Sequence, residues 1–540
     1  MQLLGWFLWL AWQPVVALWR LSTWLRPRIF GGRGPARRDG SHGTARWATV
    51  RDAGRAGLLR GSGPILGGVG LFGRLARFTT DGLMWVFAAT GAGKGLGIVV
   101  PTLLSYPGSI VVTDPKGENY AVTRRERQRR GTVVMLNPSN LPASARFNPL
   151  DIIRKDSDLE SADAVALARL MTKPEREPTH WDNKAASLLT ALLLHTLHSE
   201  PPETRTLAHV RRLSVGGAHS FRETLQEIAG GSRSLYAREI AQGYLRQVPE
   251  DAGEEGEFSS ILSTLDKATE IWSAGSPVGR LSEYSTFALT ELVTSVTTLY
   301  LCLDEELLTV YDRWLRVMAG CVLNTLTRAK HLERPRHKVV LLLDEVAALG
   351  PLETLQNQSG LLRAYCTPVL IWQNLPQVRA VYGDGADAFL ANASARVFFG
   401  VSDNQTAAYV AAMVGNATVL SHSQGQSQTA DAWFATNRQE GLAESGYPLL
   451  DAAEAQALPL TEMVARVRGL AWPLRAHRLD YRRVIRWQGR WDAWSANAPP
   501  ADGGAPAGAA AAPSAPRHGA APGGIPVPPS PTSAPAQPPA

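Results

Sequence analysis

Two segments constrain this chain more than any others. Val86 to Gly97 read VFAATGAGKGLG, and Val339 to Leu349 read VVLLLDEVAAL. The first is a glycine-rich loop leaving a short apolar strand. Gly91 and Gly93 let backbone N–H groups curl around a phosphate without side chains in the way. Lys94 is then placed to reach β/γ oxygens, as in P-loop proteins. A helix opening at Gly95 adds the partial positive charge of its N-terminus. Thr90, Gly91, Ala92, Gly93, Lys94 and Gly95 are therefore the expected nucleotide-binding residues. Two positions depart from the general pattern: Ala88 stands where a glycine is usual, and Gly95 where a hydroxyl would ligate Mg²⁺.

The second segment completes the chemistry. Val339 to Leu343 is an apolar run without alternation, which suits a strand buried on both faces of a parallel sheet. Asp344 at its end can hold Mg²⁺ through water. Glu345 follows directly and can act as general base toward an attacking water. An ordinary core strand ending in a solvated acidic turn is the plain alternative. The upstream glycine-lysine loop favours a site for ATP and Mg²⁺.

Ser109–Asp114, Thr132–Asn137, Pro368–Trp372 and Ala395–Gly400 read as further strands, and the order strand–helix–strand around a phosphate loop implies an α/β fold with a parallel sheet covered on both faces. Between two of these strands, Arg124 to Arg130 (RRERQRR) reads as a solvated helix face. Asp158 to Leu197 has helical periodicity. Glu203 to about Ser285 lacks strand-like runs and reads as a small all-helical domain. Helical character is expected to continue from Phe287 to Leu332.

With 540 residues the chain is long enough for several domains. Its formal net charge of +7 permits nucleic acid or anionic lipid as partner without selecting either. Cys302, Cys321 and Cys366 form no CxxC pair and read as reduced thiols. Leu3 to Leu25 is Trp-rich; its apolar stretch, broken by Gln13 and Pro14, ends at Trp19 and is followed by Arg20, Arg26, Arg28, Arg33, Arg37 and Arg38. It reads as a membrane anchor that leaves the rest of the chain in the cytoplasm. An in-plane interfacial helix and a soluble docking helix are the alternatives. The stretch 498–540 is nearly all Pro, Ala, Gly and Ser and reads as a disordered tail.

The blocks TDPKGENY (Thr113–Tyr120), FNPL (Phe147–Leu150), HWDNKAASLLTALLLH (His180–His195), DEVAALGPLETL (Asp344–Leu355), WQNLPQVRAVYG (Trp372–Gly383) and RVFFGVSDNQTAAYV (Arg396–Val410), with the P-loop, resemble the TraG-like coupling proteins of conjugation and type IV secretion. The resemblance runs from about Gly43 to Tyr481, and the Lys-Gly after the loop is usual there. It implies a RecA-like P-loop NTPase domain over 43–183 and 286–494. An inserted all-α domain over 184–285 and a membrane segment over 1–31 are implied with it. Members usually carry two spanning helices, whereas this N-terminus offers one short, interrupted apolar segment. The implied assembly is a homo-hexamer at the bacterial inner membrane. The implied partners are DNA, a relaxase or effector protein, and the secretion channel. The resemblance also implies that Gln373 senses the γ-phosphate and that Arg363, on a helical segment, is an arginine supplied to the neighbour's site. Asp114, Lys116 and Glu118 read instead as shaping a sheet edge and turn. An ATP-driven motor is thus expected, with catalytic residues Lys94, Glu345, Arg363 and Gln373. An FtsK-type DNA translocase and a non-hydrolysing docking protein are its rivals. Binding alone needs no general base, which weighs against the last.

Overall fold

The computed structural model describes residues 43–174, 178–215, 218–247, 257–357, 359–428 and 436–495. The anchor and tail expected at 1–31 and 498–540 lie outside the described residues. Among the described residues, no helix is long and apolar enough to cross a membrane.

The described strands are, in chain order, β1 (Ile65–Val69), β2 (Arg74–Arg77), β3 (Leu83–Ala88), β4 (Ile110–Asp114), β5 (Thr132–Leu136), β6 (Thr297–Cys302) and β7 (Val339–Leu343). They continue with β8 (Cys366–Trp372), β9 (Ala393–Phe399), β10 (Asn416–Gln428), β11 (Thr436–Pro448), β12 (Glu462–Val467) and β13 (Leu474–His477). Eleven of them form one sheet in the order β2-β1-β13-β12-β9-β3-β8-β7-β4-β6-β5, and β10 and β11 pair as a separate hairpin. From β9 to β5 all neighbours are parallel. The runs LMWVFA, IVVTD, VVLLL and CTPVLIW are buried throughout, as unalternating strands between two layers must be.

The sheet is mixed, which corrects the expectation of a parallel one. β12 pairs antiparallel with β9, and β13, β1 and β2 extend that arm. β13 shows why: Leu474 and Ala476 are buried while Arg475 and His477 face out, the alternation of a strand with one wet face. A second correction concerns Phe287–Leu332. β6 lies inside this stretch, between β4 and β5. Its six residues, TTLYLC, are all buried, and so short an apolar run has no periodicity that separates strand from helix.

Helices between β5 and β6 cover one sheet face. His180–Ser199 lies at their centre, against Glu160–Thr172, Leu235–Gln247 and Glu257–Thr269. Thr179 and Asp182 form a capping box at its start, satisfying N–H groups the helix itself leaves unpaired. Ala185 to Leu197 are buried without a break except Ser187. A single apolar core joins these helices to Trp85, Phe87, Val111 and Leu341 of the sheet. Met84, Val86, Val112 and Ile371 point to the other face and pack on Ile98, Val99 and Leu103. All three cysteines are free and buried.

The run RRERQRR is solvated only in part, with Gln128 and Arg129 exposed. In the helix Glu118–Gln128, Arg127 is fully buried, and Glu126 nearly so. Arg127 donates to the carbonyls of Tyr106 and Gly108 and to Thr298 Oγ1, at 2.5, 2.6 and 2.7 Å. Those carbonyls belong to the chain leaving the helix Val100–Ser105, where helical partners run out. The guanidinium, with five donors in a fixed fork, satisfies them at once. Burial pulls its pKa down to about 10, so it stays charged at neutral pH. Arg127→Met should therefore destabilise the fold by about 3 kcal/mol, since it strands buried carbonyls. Denaturant unfolding tests this, and a midpoint equal to wild type would remove Arg127 from this role.

Candidate functional site

β3 ends at Ala88 and the chain turns through Thr90 to Gly93 before Lys94 begins a helix. Gly91 and Gly93 have φ of +76° and +86°, left-handed values that L side chains rarely adopt. Ala92 between them is buried. A Cβ at Gly91 or Gly95 would meet nothing within 4 Å, so this side of the loop is open. Gly95–Val99 then form a π turn, with the Val100 N–H bonded to the Gly95 carbonyl, before the α-helix Val100–Ser105. Such wide turns are rare and concentrate at functional sites.

The sheet order decides what meets this loop. β8 lies between β3 and β7, with Phe87 opposite Trp372 and Leu343 opposite Leu370. The ends of three adjacent strands therefore carry Lys94, Gln373 and the Asp344–Glu345 pair. Lys94 Nζ lies 2.9 Å from Asp344 Oδ1 and bonds to Glu345 Oε1. Gln373 Nε2 donates to the other Glu345 oxygen at 3.1 Å. Gln373 is itself held, its N–H donating to Gln377 Oε1 at 3.0 Å.

Glu345 has φ +54° and ψ +46°, a left-handed conformation that costs a non-glycine residue on the order of 1 kcal/mol. It persists because the flanking backbone is clamped. Thr113, at the end of β4, is buried and places its hydroxyl between both backbone groups of Asp344. Asp344 N donates to Oγ1 at 2.6 Å, and Oγ1 donates to the Asp344 carbonyl at 2.9 Å. The Glu345 N–H turns back onto Asp344 Oδ1 at 3.0 Å.

Charge at the site is nearly self-contained. Burial works against the Lys94 ammonium, but Asp344 and Glu345 outweigh it and hold its pKa above the ordinary lysine value. Burial pushes the Asp344 carboxyl above its ordinary value against the pull of Lys94, and the adjacent Glu345 charge adds to the rise. An anion entering the loop thus competes with two carboxylates for one cation. If it takes Lys94, Glu345 is left with only the Gln373 amide, free to accept a proton.

Arg363 is not brought to this cluster. It is exposed in the turn after Ser359–Leu362, before β8 begins, and its carbonyl accepts from Lys338 Nζ at 2.6 Å. From there to Gln373 the chain crosses the whole of β8, roughly 20 Å at the rise of a strand. Asp114 shapes a turn, its carboxylate accepting from Asn119 N and Tyr120 N at 3.3 and 2.8 Å where a helix starts. Lys116 pairs with Glu305 at the surface. Two residues escaped sequence reasoning. Thr113 sits in the TDPKGENY block, but its role needs the β4–β7 pairing. Arg478, which packs on the loop, lies 385 residues from Gly93 and belongs to no motif.

The family model "Type IV secretory system Conjugative DNA transfer" matches residues 46–492. The chain belongs to this family. It is 28% identical over 465 residues to protein VirD4 of Agrobacterium fabrum, a match covering 82% of this chain and 66% of that protein. Against the conjugal transfer protein TraG of Escherichia coli it is 28% identical over 458 residues, covering 78% of this chain and 72% of TraG. The match spans 64–66% of the length of three VirD4 relatives, slightly less than two thirds. In structure it is similar to the bacterial conjugative coupling protein TrwBdeltaN70 in complex with sulphate, with a TM-score of 0.58 at 18% identity, covering 82% of this chain and 96% of that one. A second TrwB structure, in complex with the ATP analogue ADPNP, has a TM-score of 0.57 at 16% identity and covers 83% and 97%. These likenesses support the α/β fold.

The Thr113 clamp is testable. Thr113→Val keeps the shape but strands the buried Asp344 N–H, and should cost about 1–3 kcal/mol of stability. Thr113→Ser should retain most of it. Equal unfolding midpoints for Thr113→Val and wild type would show that the hydroxyl contributes nothing.

Proposed function

We propose that this chain is an ATPase that serves as the coupling protein of a conjugation or type IV secretion channel. In this reading it recruits DNA, a DNA–protein complex or an effector protein and drives it into the channel. The observation that carries the hydrolytic part is the meeting of Lys94, Asp344, Glu345 and Gln373 beside a left-handed glycine loop. Family membership carries the delivery part. That TrwB, of the same fold, is in complex with ADPNP in one structure and with ADP and Mg²⁺ in another supports ATP and Mg²⁺ as ligands.

The residues act as follows. The loop N–H groups of Thr90 to Gly95 cradle the phosphates, and Lys94 transfers from the carboxylates to the β/γ oxygens. Asp344, a carboxylate at the strand end beside Lys94, is the residue that would hold Mg²⁺ through water, where the ion would supply positive charge toward the phosphates. Glu345, released from Lys94, takes a proton from the attacking water. The water oxygen bonds to the γ-phosphorus as the bond to the β–γ bridging oxygen breaks. Gln373 positions the water or senses the γ-phosphate from the end of β8.

Residues 1–31 tether the protein to the inner membrane, and the all-helical stretch 184–285 offers the surface for relaxase or effector. Arg363, remote from its own site, completes the site of the next subunit in a hexamer.

Full-length Glu345→Gln should bind ATP as wild type does but lose about a hundredfold or more in kcat, because the amide keeps the shape and loses the base. Lys94→Ala should lose binding and turnover together. A Glu345→Gln protein with weakened binding and intact kcat would make Glu345 a binding or structural residue.

The trans role of Arg363 predicts complementation. Arg363→Ala alone and Lys94→Ala alone should each be inactive. Mixed rings should regain activity, since an Arg363→Ala subunit with an intact loop then borders a Lys94→Ala subunit with an intact arginine. Demonstrably mixed rings that recover nothing, or a monomer hydrolysing ATP at the full rate, would eliminate this role.

A further inference from the structure

The last glycine of GKGLG, Gly97, plays no part in the site as described, yet it is fully hemmed in. A Cβ at Gly97 would lie 2.6 Å from Arg478 Cγ, and one at Gly93 would lie 2.2 Å from Arg478 Nη1. One arginine side chain therefore lies across both glycines, its stem on Gly97 and its guanidinium on Gly93. Both positions need glycine for that approach.

Arg478 follows β13 directly, and two contacts anchor it. Nε donates to the Leu460 carbonyl, and Nη1 reaches the Gly93 carbonyl at 3.5 Å. Leu460 comes just before β12, so both anchoring segments belong to the antiparallel arm. Arg478 forms no ion pair among the described residues. The neighbouring Asp480 is already held by Arg482 through two bonds of 2.9 Å. Burial pulls the Arg478 pKa below the ordinary arginine value. Asp480 acts on it only through space, so this half-buried guanidinium, bonded to no carboxylate, has donors to spare for an anion.

The sheet order places this cation. Lys94, Gln373, Asp344 and Glu345 lie on the β8–β7 side of β3. Arg478 comes from the β9–β12–β13 side. A nucleotide lying across the loop with its γ-phosphate toward Glu345 has its α-phosphate and nucleoside on the side of Arg478. We infer that Arg478 is a nucleotide-binding residue that donates to the α-phosphate, at the opposite end of the loop from the hydrolytic cluster. This rests on the nucleotide reading above.

An α-phosphate contact is present before, during and after hydrolysis. It binds ground and transition states alike, so its loss shows in affinity and not in kcat. The experiment is calorimetric titration of the full chain with ADP and with a non-hydrolysable ATP analogue, together with steady-state kinetics. Arg478→Met keeps the stem over Gly97 and removes the donors. It should raise Kd for both nucleotides by the same factor, about tenfold, a typical cost for one charge-assisted hydrogen bond. Its kcat should stay at the wild-type value. Arg478→Lys, which keeps the charge, should recover part of the affinity. Arg478→Met binding both nucleotides as wild type does would overturn the proposal, as would a loss confined to the ATP analogue or to kcat. Lys94→Ala is titrated alongside. If it too binds normally, the nucleotide reading itself has failed. If it loses binding while Arg478→Met does not, only the Arg478 assignment has failed.

Discussion

The site depends on one ammonium held between two carboxylates across an intervening strand. Lys94 reaches Asp344 and Glu345 past the end of β8, and the Gln373 amide at that end closes on Glu345. Burial works against the Lys94 ammonium, and the two carboxylates beside it outweigh that and keep it charged. In the proposed function, the charges that pair with one another here are the ones a phosphate chain would rearrange.

This balance needs rigid supports. Glu345 occupies a left-handed conformation that only clamped neighbours sustain. Thr113 supplies the clamp from β4, so the catalytic candidate on β7 is set by the strand on its other side. Below the strand ends, aromatic rings fill the face toward the helical layer. Trp85 stacks on Trp372 with centroids 5.6 Å apart, and Phe87 on Phe398 at 4.8 Å. These contacts link β3, β8 and β9, the strands that set the loop's position. The helices between β5 and β6 share that same core.

The antiparallel arm serves a separate purpose. It adds four strands beyond β9, and it brings Leu460 and Arg478 to the outer side of the phosphate loop. The loop is consequently held from both sides, by acids on one and by an arginine on the other. Arg127 plays a comparable structural part at the far end of the helix that follows the loop, where it closes carbonyls that would otherwise be buried without donors.

Much of this was legible in the chain itself, for physical reasons. Left-handed glycines around Lys94 and an unbroken apolar strand ending in Asp344–Glu345 are local statements, and local chemistry is written in local order. The strands β3, β4, β7, β8 and β9 were recognisable because burial on both faces demands continuous apolar residues. β6 was not, because six buried residues have no readable period, and Arg127 was not, because a helix's polar run does not say which arginine meets stranded carbonyls. The sequence by itself determined the glycine-lysine loop, the acidic strand end and the family. Only the tertiary structure decided that β8 stands between them, that Thr113 clamps Asp344, that Arg363 lies before β8, at the end away from its own site, and that Arg478 closes over Gly93 and Gly97. Each of those joins residues far apart in the chain, and sheet order alone brings them within reach.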